Sequence, residues 1–509
     1  MEAATLPPSR KDILTPARFL ACLVLLTACA HLFAGFLASP SLGDEVHHYR
    51  FAKDNYILGG RAVFDAVYGS SKAPGFFYES EIAWPLGLAI LWKLTGGISF
   101  PVAQFYHFCY SLLLIAAVFL LARKMYGGRA AAWAALITAT LPMAVSFGIL
   151  FYIDVPGTAL AVLTFLLLAE KRYFVAGLVF GLQFLTKKSA VFFIPAIFLW
   201  ILVQHWRRPL DLIRAILLTA VPAGMLIYPD LLWRKAHLVA SISTGAWIQQ
   251  RMAAAVTVMQ TPAVIVVPDF LARIQDFTNS SLGNPQDLFK YFGVALWAGL
   301  AAYFIRRKYE HKDLLLWAAI VGFVFAAWLL KLFPDIRYVM PVAPFLAILA
   351  SKALARAERF NFFSGLIVLI CVGQLLAAAV YTAYERKIPQ AIREGFEYIS
   401  NEVPQDAVIL YPETNLLEFT GRRMVWTRMN LRYFFWGTED QKKTEIRTVG
   451  LDYIAIKKKR VYDDVAAGVF HVGQYPESFL AFLEVWPQVT VVFENEALRI
   501  YKVNHESLT

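Results

Sequence analysis

Long apolar segments recur between residues 19 and 383, and they constrain the fold more than any other feature of the chain. A helix can cross a bilayer because it satisfies its own backbone hydrogen bonds where water is absent. The composition agrees, since 58% of the residues are hydrophobic and only 17% are charged. The sequence therefore predicts an all-α polytopic membrane protein over most of its length.

The basic residues between the apolar segments predict an orientation. Arg10, Lys11 and Arg18 precede the first segment, and basic loops recur after every second one, as in cytoplasmic loops. The net charge of +11 is carried largely by these loops, so nucleic acid is not predicted as a partner. We expect about eleven spans from a cytoplasmic N-terminus, over residues 19–37, 102–122, 130–150, 156–169, 173–185, 190–203, 212–232, 289–305, 314–330, 338–350 and 362–383.

Two domains are predicted. Residues 1–385 form the transmembrane domain, with a large first outer loop over residues 40–100 and a second long outer segment over residues 233–288. Residues 386–509 form a small soluble α/β domain with helices at 390–402 and 476–486, strands at 407–410 and 453–456, and a terminal hairpin. An odd number of spans places this domain outside, in the periplasm of a bacterium whose inner membrane holds the protein.

Five ionisable residues crowd the start of the first outer loop, directly after an apolar span. They are Asp44, Glu45, His47, His48 and Arg50. Unpaired charge at the hydrocarbon boundary is costly, so such a cluster is typical of a polar functional cavity. The alternative is a solvated loop whose charges only end a helix.

Further charges are predicted on the same outer face. Lys187 and Lys188 lie at the outer end of the fifth span, where positive charge is disfavoured, so a cation is needed there or the lysines snorkel. A second basic pair on this side is Lys331 and Arg337. Carboxylates on the face could accept a proton from an incoming hydroxyl, and the cations could stabilise a leaving phosphate. The additional carboxylates are Glu79, Glu81 and Asp154.

Four segments resemble motifs of the GT-C glycosyltransferases. The first two look like the acidic loop motifs of protein O-mannosyltransferases, and the last two are similar to segments of bacterial aminoarabinose transferases. The segment after Glu81 lacks the His-Pro-Pro of the mannosyltransferases. In chain order the four segments are Gly43-Asp44-Glu45-Val46-His47, Ile153-Asp154-Val155-Pro156, residues 177–187 followed by Pro195, and Arg337-Tyr338-Val339-Met340-Pro341-Val342-Ala343-Pro344.

The resemblance implies that a sugar passes from a polyprenyl-phosphate-linked donor to a hydroxyl on a lipid, glycan or protein, with inversion. By motif, Asp44 is the base, Glu45 is its neighbour, and Asp154 positions the acceptor or the base. Lys187 and Arg337 match positions near the donor phosphate. The predicted donor site also includes Arg50 and Lys188, and the other cavity residues are His47, Glu79, Glu81 and Tyr338.

Three alternatives stay open from the sequence. The spacing of Asp44 with His47 or His48 would suit a divalent metal, but hydrogen-bonded histidines are equally compatible, and no metal ligand is assigned. A transporter or flippase for a lipid-linked sugar would also carry charge within the membrane, although no internal repeat is visible. A non-catalytic scaffold for the C-terminal domain would leave the first-loop carboxylates unexplained.

Overall fold

The structure, a computed structural model, describes ten stretches of the chain and a few residues between 23 and 56. The stretches are 82–238, 285–306, 309–329, 336–355, 362–385, 390–404, 406–410, 423–425, 438–458 and 477–505. The described residues divide into two compact units. The first contains the helices between Pro101 and Ala383 and the start of the preceding helix. The second contains residues 89–100 and everything after Ala383.

Helices account for almost all of the described first unit. Two short segments form 3₁₀ helices, Lys188–Phe193 and Ile336–Val342. The α-helices are α1 Ala83–Thr95, α2 Phe100–Tyr126, α3 Gly128–Thr140, α4 Pro142–Ile149, α5 Asp154–Ala169, α6 Tyr173–Thr186, α7 Ile194–His205, α8 Pro209–Leu238, α9 Pro285–Arg306, α10 His311–Leu329, α11 Ala343–Ala355 and α12 Phe362–Glu385.

The predicted fold class is confirmed. Four helical stretches of the described chain are long and apolar enough to cross a membrane, and α3 with α4 makes a fifth if that bent pair is one span. Three shorter apolar helices accompany them. The count of eleven spans stays a prediction. The four long stretches are Phe100–Tyr126, Lys188–His205, Pro209–Leu232 and Gly365–Ala383.

The third predicted span, residues 130–150, is not one continuous helix. It is divided at Leu141 into α3 and α4, whose axes differ in direction by 56°. Pro142 disfavours helical geometry at the residue before it, and Leu141 accordingly has φ −57° and ψ 122°. The sequence analysis predicted this span from its apolar length and did not predict the break that Pro142 produces.

Close helix packing in this unit depends on small residues. Gly177 and Gly181, one turn apart on α6, face α8, and a Cβ at Gly177 would lie 2.2 Å from the carbonyl oxygen of Thr219. A Cβ at Gly299 of α9 would lie 2.7 Å from the Cβ of Ala350. Small residues let membrane helices approach until their backbones touch, and van der Waals contact then holds them.

One side of α8 presents large apolar side chains outward. Leu210 is 81% exposed and Met225 is 68% exposed, and the outward residues recur at helical spacing. Such a stripe is favourable against lipid and costly against water. The other members of the stripe are Ile213, Leu217, Val221 and Tyr228.

The second unit contains a mixed five-stranded sheet. Its strands are β1 Val408–Leu410, β2 Arg423–Val425, β3 Tyr453–Lys457, β4 Val489–Glu494 and β5 Leu498–Val503, in the order β2-β1-β3-β5-β4. β1 is parallel to β2 and β3, whereas β5 is antiparallel to β3 and β4. The predicted strands at 407–410 and 453–456 and the terminal hairpin are present.

Helices cover both faces of the sheet. Tyr453 and Ala455 of β3 join the core beneath α13 Gln390–Glu402, whereas Ile454 and Ile456 join the opposite core. This alternation is the period of two that a strand imposes on its side chains. The opposite core also receives side chains from α14 Glu439–Val449 and α15 Glu477–Val485.

Two elements of this unit are absent from the sequence prediction. Strand β2 has only three residues, too few for a readable pattern. Helix α14 had a legible signal, because Thr438 and Gln441 form a capping box and Gly450 ends the helix in the left-handed conformation. Its polar composition obscured it in a search for apolar periodicity.

Candidate functional site

Asp154 and Lys187 form a buried ion pair. Asp154 opens α5 and Lys187 follows α6, and because these two helices run antiparallel through a short connection, both residues lie at the same end. Lys187 Nζ donates a hydrogen bond to Asp154 Oδ1. Asp154 is 2% exposed and Lys187 is 7% exposed. The two residues, predicted separately as a positioning carboxylate and a donor-site cation, therefore meet directly.

The local structure favours both charges. A carboxylate is stabilised at a helix N-terminus and a cation at a C-terminus, because the backbone dipoles point that way. Gly157, one turn into α5, leaves room for the lysine stem, since a Cβ at Gly157 would lie 3.0 Å from the Cβ of Lys187.

Asp154 has one hydrogen-bond partner within the described part of the chain, and that partner is Lys187. Its second carboxylate oxygen is not among the fully buried unpaired atoms of those residues. The second carboxylate oxygen of Asp154 is therefore not fully enclosed by packing. A group arriving from outside the protein could use it.

Only part of the predicted site lies within the described residues. Lys188 is half-exposed in the first 3₁₀ helix. The backbone of Arg337 and Tyr338 lies in the second 3₁₀ helix, which packs against α5, and their side chains are not described. The remaining predicted residues, Asp44, Glu45, His47, Arg50, Glu79 and Glu81, lie outside the described residues.

Aromatic contacts tie the start of α1 to the segment before Asp154. The Trp84 ring is fully buried and lies 5.8 Å from the His107 ring and 6.0 Å from the Phe151 ring, between centroids. His107 Nε2 donates to the carbonyl oxygen of Phe147 at 3.0 Å. The end of the first predicted outer loop is thereby anchored three residues from Asp154.

A second buried ion pair, which the sequence analysis missed, lies at the other end of the α3–α4 pair. Tyr126 precedes α3 by two residues, whereas Asp154 follows α4 by five. Lys352 Nζ lies 2.7 Å and 2.9 Å from the two carboxylate oxygens of Asp313. The hydroxyls of Tyr126 and Tyr303 donate to the same carboxylate at 2.5 Å and 2.9 Å. The N–H of Glu310 completes the set at 3.1 Å.

The predicted tenth span ends at residue 350 and so leaves Lys352 in the loop that follows, whereas the structure places Lys352 within a helix. Helix α11 continues to Ala355, five residues beyond the predicted span, and Lys352 is only 3% exposed. The available signal was a lone lysine inside a run of small residues, the kind of position that becomes buried between helices. Buried charge is therefore not confined to one face.

No group of three or more histidine, cysteine, aspartate or glutamate side chains within the described stretches could hold a metal ion. Asp44 and His47 lie outside those stretches, whereas His48, the alternative ligand, is described and buried. A divalent metal and hydrogen-bonded histidines therefore stay as alternatives, and no metal ligand is assigned.

The whole architecture is similar to solved membrane glycosyltransferases. ArnT from Cupriavidus metallidurans, solved bound to undecaprenyl phosphate, matches over 96% of this chain and 98% of its own, with a TM-score of 0.63 and 12% identity. The chain has the GT-C fold. The Archaeoglobus fulgidus oligosaccharyltransferase, solved with a tethered acceptor peptide, matches this GT-C chain over 88% of the residues and over 70% of its own. Its TM-score is 0.61 and its identity is 13%.

Sequence comparison adds a match to one family. Residues 82–233 of the GT-C chain match the family of the dolichyl-phosphate-mannose-protein mannosyltransferases. This region contains both Asp154 and Lys187. No curated protein sequence matches the chain. The resemblance to the GT-C superfamily stated from sequence motifs is confirmed.

Proposed function

We propose that this protein transfers a sugar from a polyprenyl-phosphate-linked donor to a hydroxyl acceptor at the outer face of a bacterial inner membrane. The observation that carries the proposal is the buried Asp154–Lys187 pair. It lies within the region that matches the mannosyltransferase family. The solved relative that binds undecaprenyl phosphate supports a lipid phosphate as the leaving group.

The donor phosphate binds where Lys187 and Arg337 lie. Negative charge grows on the phosphate as the glycosidic bond breaks, and fixed cations lower the energy of that transition state. Asp154 holds the Lys187 ammonium in place, so little ordering is needed when the donor arrives. Arg50 and Lys188 add positive charge around the phosphate.

Asp44 accepts the proton of the acceptor hydroxyl, and Glu45 lies beside it. The hydroxyl oxygen attacks the anomeric carbon opposite the phosphate, the carbon–oxygen bond to phosphate breaks, and the configuration inverts. Asp154 orients the acceptor or the base. His47, Glu79, Glu81 and Tyr338 line the same cavity. The N-terminus is cytoplasmic, and the C-terminal unit, residues 386–509, is periplasmic.

Transfer of radiolabelled sugar from a synthetic polyprenyl-phosphate donor by the purified protein tests the proposal. Membrane lipid, glycan and protein extracts serve as separate acceptors. The Asp44→Asn variant abolishes transfer, because the amide cannot accept a proton. Asp211→Asn, which changes an exposed carboxylate in the first turn of α8, leaves transfer unchanged. Near-normal turnover by Asp44→Asn removes Asp44 from the role of base.

The broken helices favour a second candidate, a transporter or flippase for a lipid-linked sugar. Transporters build their sites at interrupted helices, and α3–α4 and α9 are both interrupted. Proteoliposomes separate the two candidates. Movement of the labelled lipid across the bilayer without loss of its sugar supports transport, whereas label transferred to an acceptor supports the transferase.

A further inference from the structure

Two helices of the first unit are interrupted, and the interruptions face each other. One is the Leu141–Pro142 break between α3 and α4. The other is Gly293 within α9, with φ 73° and ψ 158°. A Cβ at Gly293 would lie 3.0 Å from the Cδ of Pro142. The breaks are therefore in direct contact.

The side chain of Gln374, on α12, bonds to both breaks. Its Oε1 accepts from the backbone N–H of Ala295 at 2.8 Å. Its Nε2 donates to the backbone carbonyl of Thr140 at 3.4 Å. Each interruption removes a helical hydrogen-bond partner from one of these two backbone groups. The Gln374 amide replaces both partners, as the acceptor for Ala295 N–H and the donor for the Thr140 carbonyl.

The segments beyond the breaks lead to the candidate site. Helix α4 has only eight residues and is followed closely by Asp154. Met143 of α4, Tyr291 of α9 and Met340 of the second 3₁₀ helix line one small apolar cavity beside the breaks. That 3₁₀ helix carries Arg337 and packs against α5. Gln374 therefore joins the end of α3 to α9 beside two segments that lead to the site, namely α4 and the 3₁₀ helix that carries Arg337.

We propose that Gln374 is a positioning residue that fixes the angle of α4 against α9, and through it the placement of Asp154 and Lys187. The inference rests on the proposed transferase function. The Gln374 amide acts on turnover through its bonds to two backbone groups, Ala295 N–H and the Thr140 carbonyl. Leu or Met at this position would fill the space without bonding to either break.

Gln374→Met is the test variant and Gln204→Met is its matched control. Gln204 also links helices through its amide, accepting from the Tyr173 hydroxyl at 2.9 Å and donating to the Leu168 carbonyl at 3.3 Å. It lies at the opposite end of α5 and α6. Gln374→Met lowers kcat about 10- to 100-fold with a smaller change in donor KM, as small misplacements of catalytic groups do. Gln204→Met keeps kcat within about threefold. Equal kcat losses in the two variants at similar thermal stability overturn the inference.

Gln374→Glu gives a pH signature that a purely structural role lacks. The protonated carboxyl again has a donor and an acceptor, whereas the ionised form has only acceptors. We therefore expect the ratio of the Gln374→Glu kcat to the wild-type kcat to rise as pH falls. A flat ratio across the pH range contradicts the proposal.

A distance measurement keeps the inference independent of the proposed function. Spin labels at Leu150 and Leu369, in a protein whose native cysteines are replaced, report the position of the end of α4 relative to α12. The distance distribution broadens in Gln374→Met and stays narrow in Gln204→Met. An unchanged distribution in both overturns the inference, even if wild-type protein transfers sugar. If the distribution broadens but wild-type protein transfers none, the joint stands and the transferase proposal fails.

Discussion

The two buried ion pairs of the transmembrane unit differ in how completely the protein satisfies them. The Asp313 carboxylate receives hydrogen bonds from Lys352, two tyrosine hydroxyls and a backbone N–H. Within the described residues Asp154 receives one, from Lys187. Both pairs are almost inaccessible to solvent. Burial alone therefore does not separate a structural pair from a functional one.

From this difference we infer a different role for each pair. A carboxylate surrounded by donors from four segments has no capacity left for a ligand, and its function is to hold those segments together. The donors to Asp313 come from α2, α9, α11 and Glu310, which precedes α10. A pair with one internal hydrogen bond on its carboxylate keeps capacity for an external group, which is the condition that a substrate site requires.

The largest expected effect tests the structural role of the Asp313 cluster. Lys352→Met leaves a buried carboxylate without its counter-charge, so the free energy of unfolding falls by about 3–5 kcal/mol. Thermal unfolding of the detergent-solubilised protein measures the loss. Lys312→Met removes an exposed neighbour whose Nζ donates to the Met125 carbonyl, and it changes stability little. Equal thermal stability of the Lys352→Met and Lys312→Met variants would show that the Asp313 cluster does not stabilise the packing of these helices.

The second expected effect concerns the donor site. Arg337→Ala raises the donor concentration needed for half-maximal rate about ten- to a hundredfold, since a charge-assisted hydrogen bond contributes about 1.5–3 kcal/mol. Arg337→Lys recovers only part, because an ammonium cannot bond bidentately to phosphate. The measurement is the steady-state rate as a function of donor concentration and, separately, of acceptor concentration. If the dependence of rate on donor concentration is unchanged in both variants, Arg337 does not bind the donor phosphate.

The ion pair alters how Lys187 must be tested. A single Lys187→Met change leaves Asp154 buried without its cation, so lost activity could reflect lost structure. The Lys187→Met/Asp154→Asn double variant removes both charges. It regains the stability lost by the single variant and does not regain donor affinity. Recovery of donor affinity along with stability would assign Lys187 a purely structural role.

The smallest expected effect comes from an exposed charge cluster in the second unit, which serves as a reference for the two buried pairs. Hydrogen bonds from Arg499 and Lys458 lower the pKa of Glu494 from 4.5 to about 2. A lowered pKa in the folded state stabilises the fold above the unfolded value, and this contribution disappears as pH falls from about 4.5 to about 2. Glu494→Gln therefore removes a small part of the acid sensitivity of unfolding and leaves stability at pH 7 nearly unchanged. A large loss at pH 7 contradicts this.

The sequence predicted the fold more fully than the site. Apolar length located most described helices, and helix 390–402 has the predicted bounds. Pro142 signalled the interruption of α3–α4, but the apolar length of the segment was given more weight. The interruption at Gly293 has no neighbouring proline to signal it. Gln374 and Lys352 were visible as isolated polar residues in apolar or small-residue runs. Their partners lie far along the chain, and local spacing contains no information about such distances.

Asp154 and Lys187 illustrate the same limit at the site itself. Alternating basic loops predicted that both residues lie on one face, and motif resemblance marked both as functional. Their direct contact depends on the antiparallel packing of α5 and α6 and on the space beside Gly157. The placement of Asp44 and Glu45 against this pair stays a prediction.

Comparison of Asp154→Asn with Asp313→Asn tests the central claim most directly. Both changes neutralise one buried carboxylate and keep its shape, and both variants are measured for transfer per folded molecule and for thermal unfolding. We expect Asp154→Asn to lower transfer at least about tenfold with the smaller loss of stability, because Asp154 positions Lys187 and the acceptor or the base. Asp313→Asn should lower stability by about 3–5 kcal/mol and keep transfer per folded molecule within about threefold. The reverse pattern, or the same pattern in both variants, contradicts the assignment of one pair to function and the other to structure.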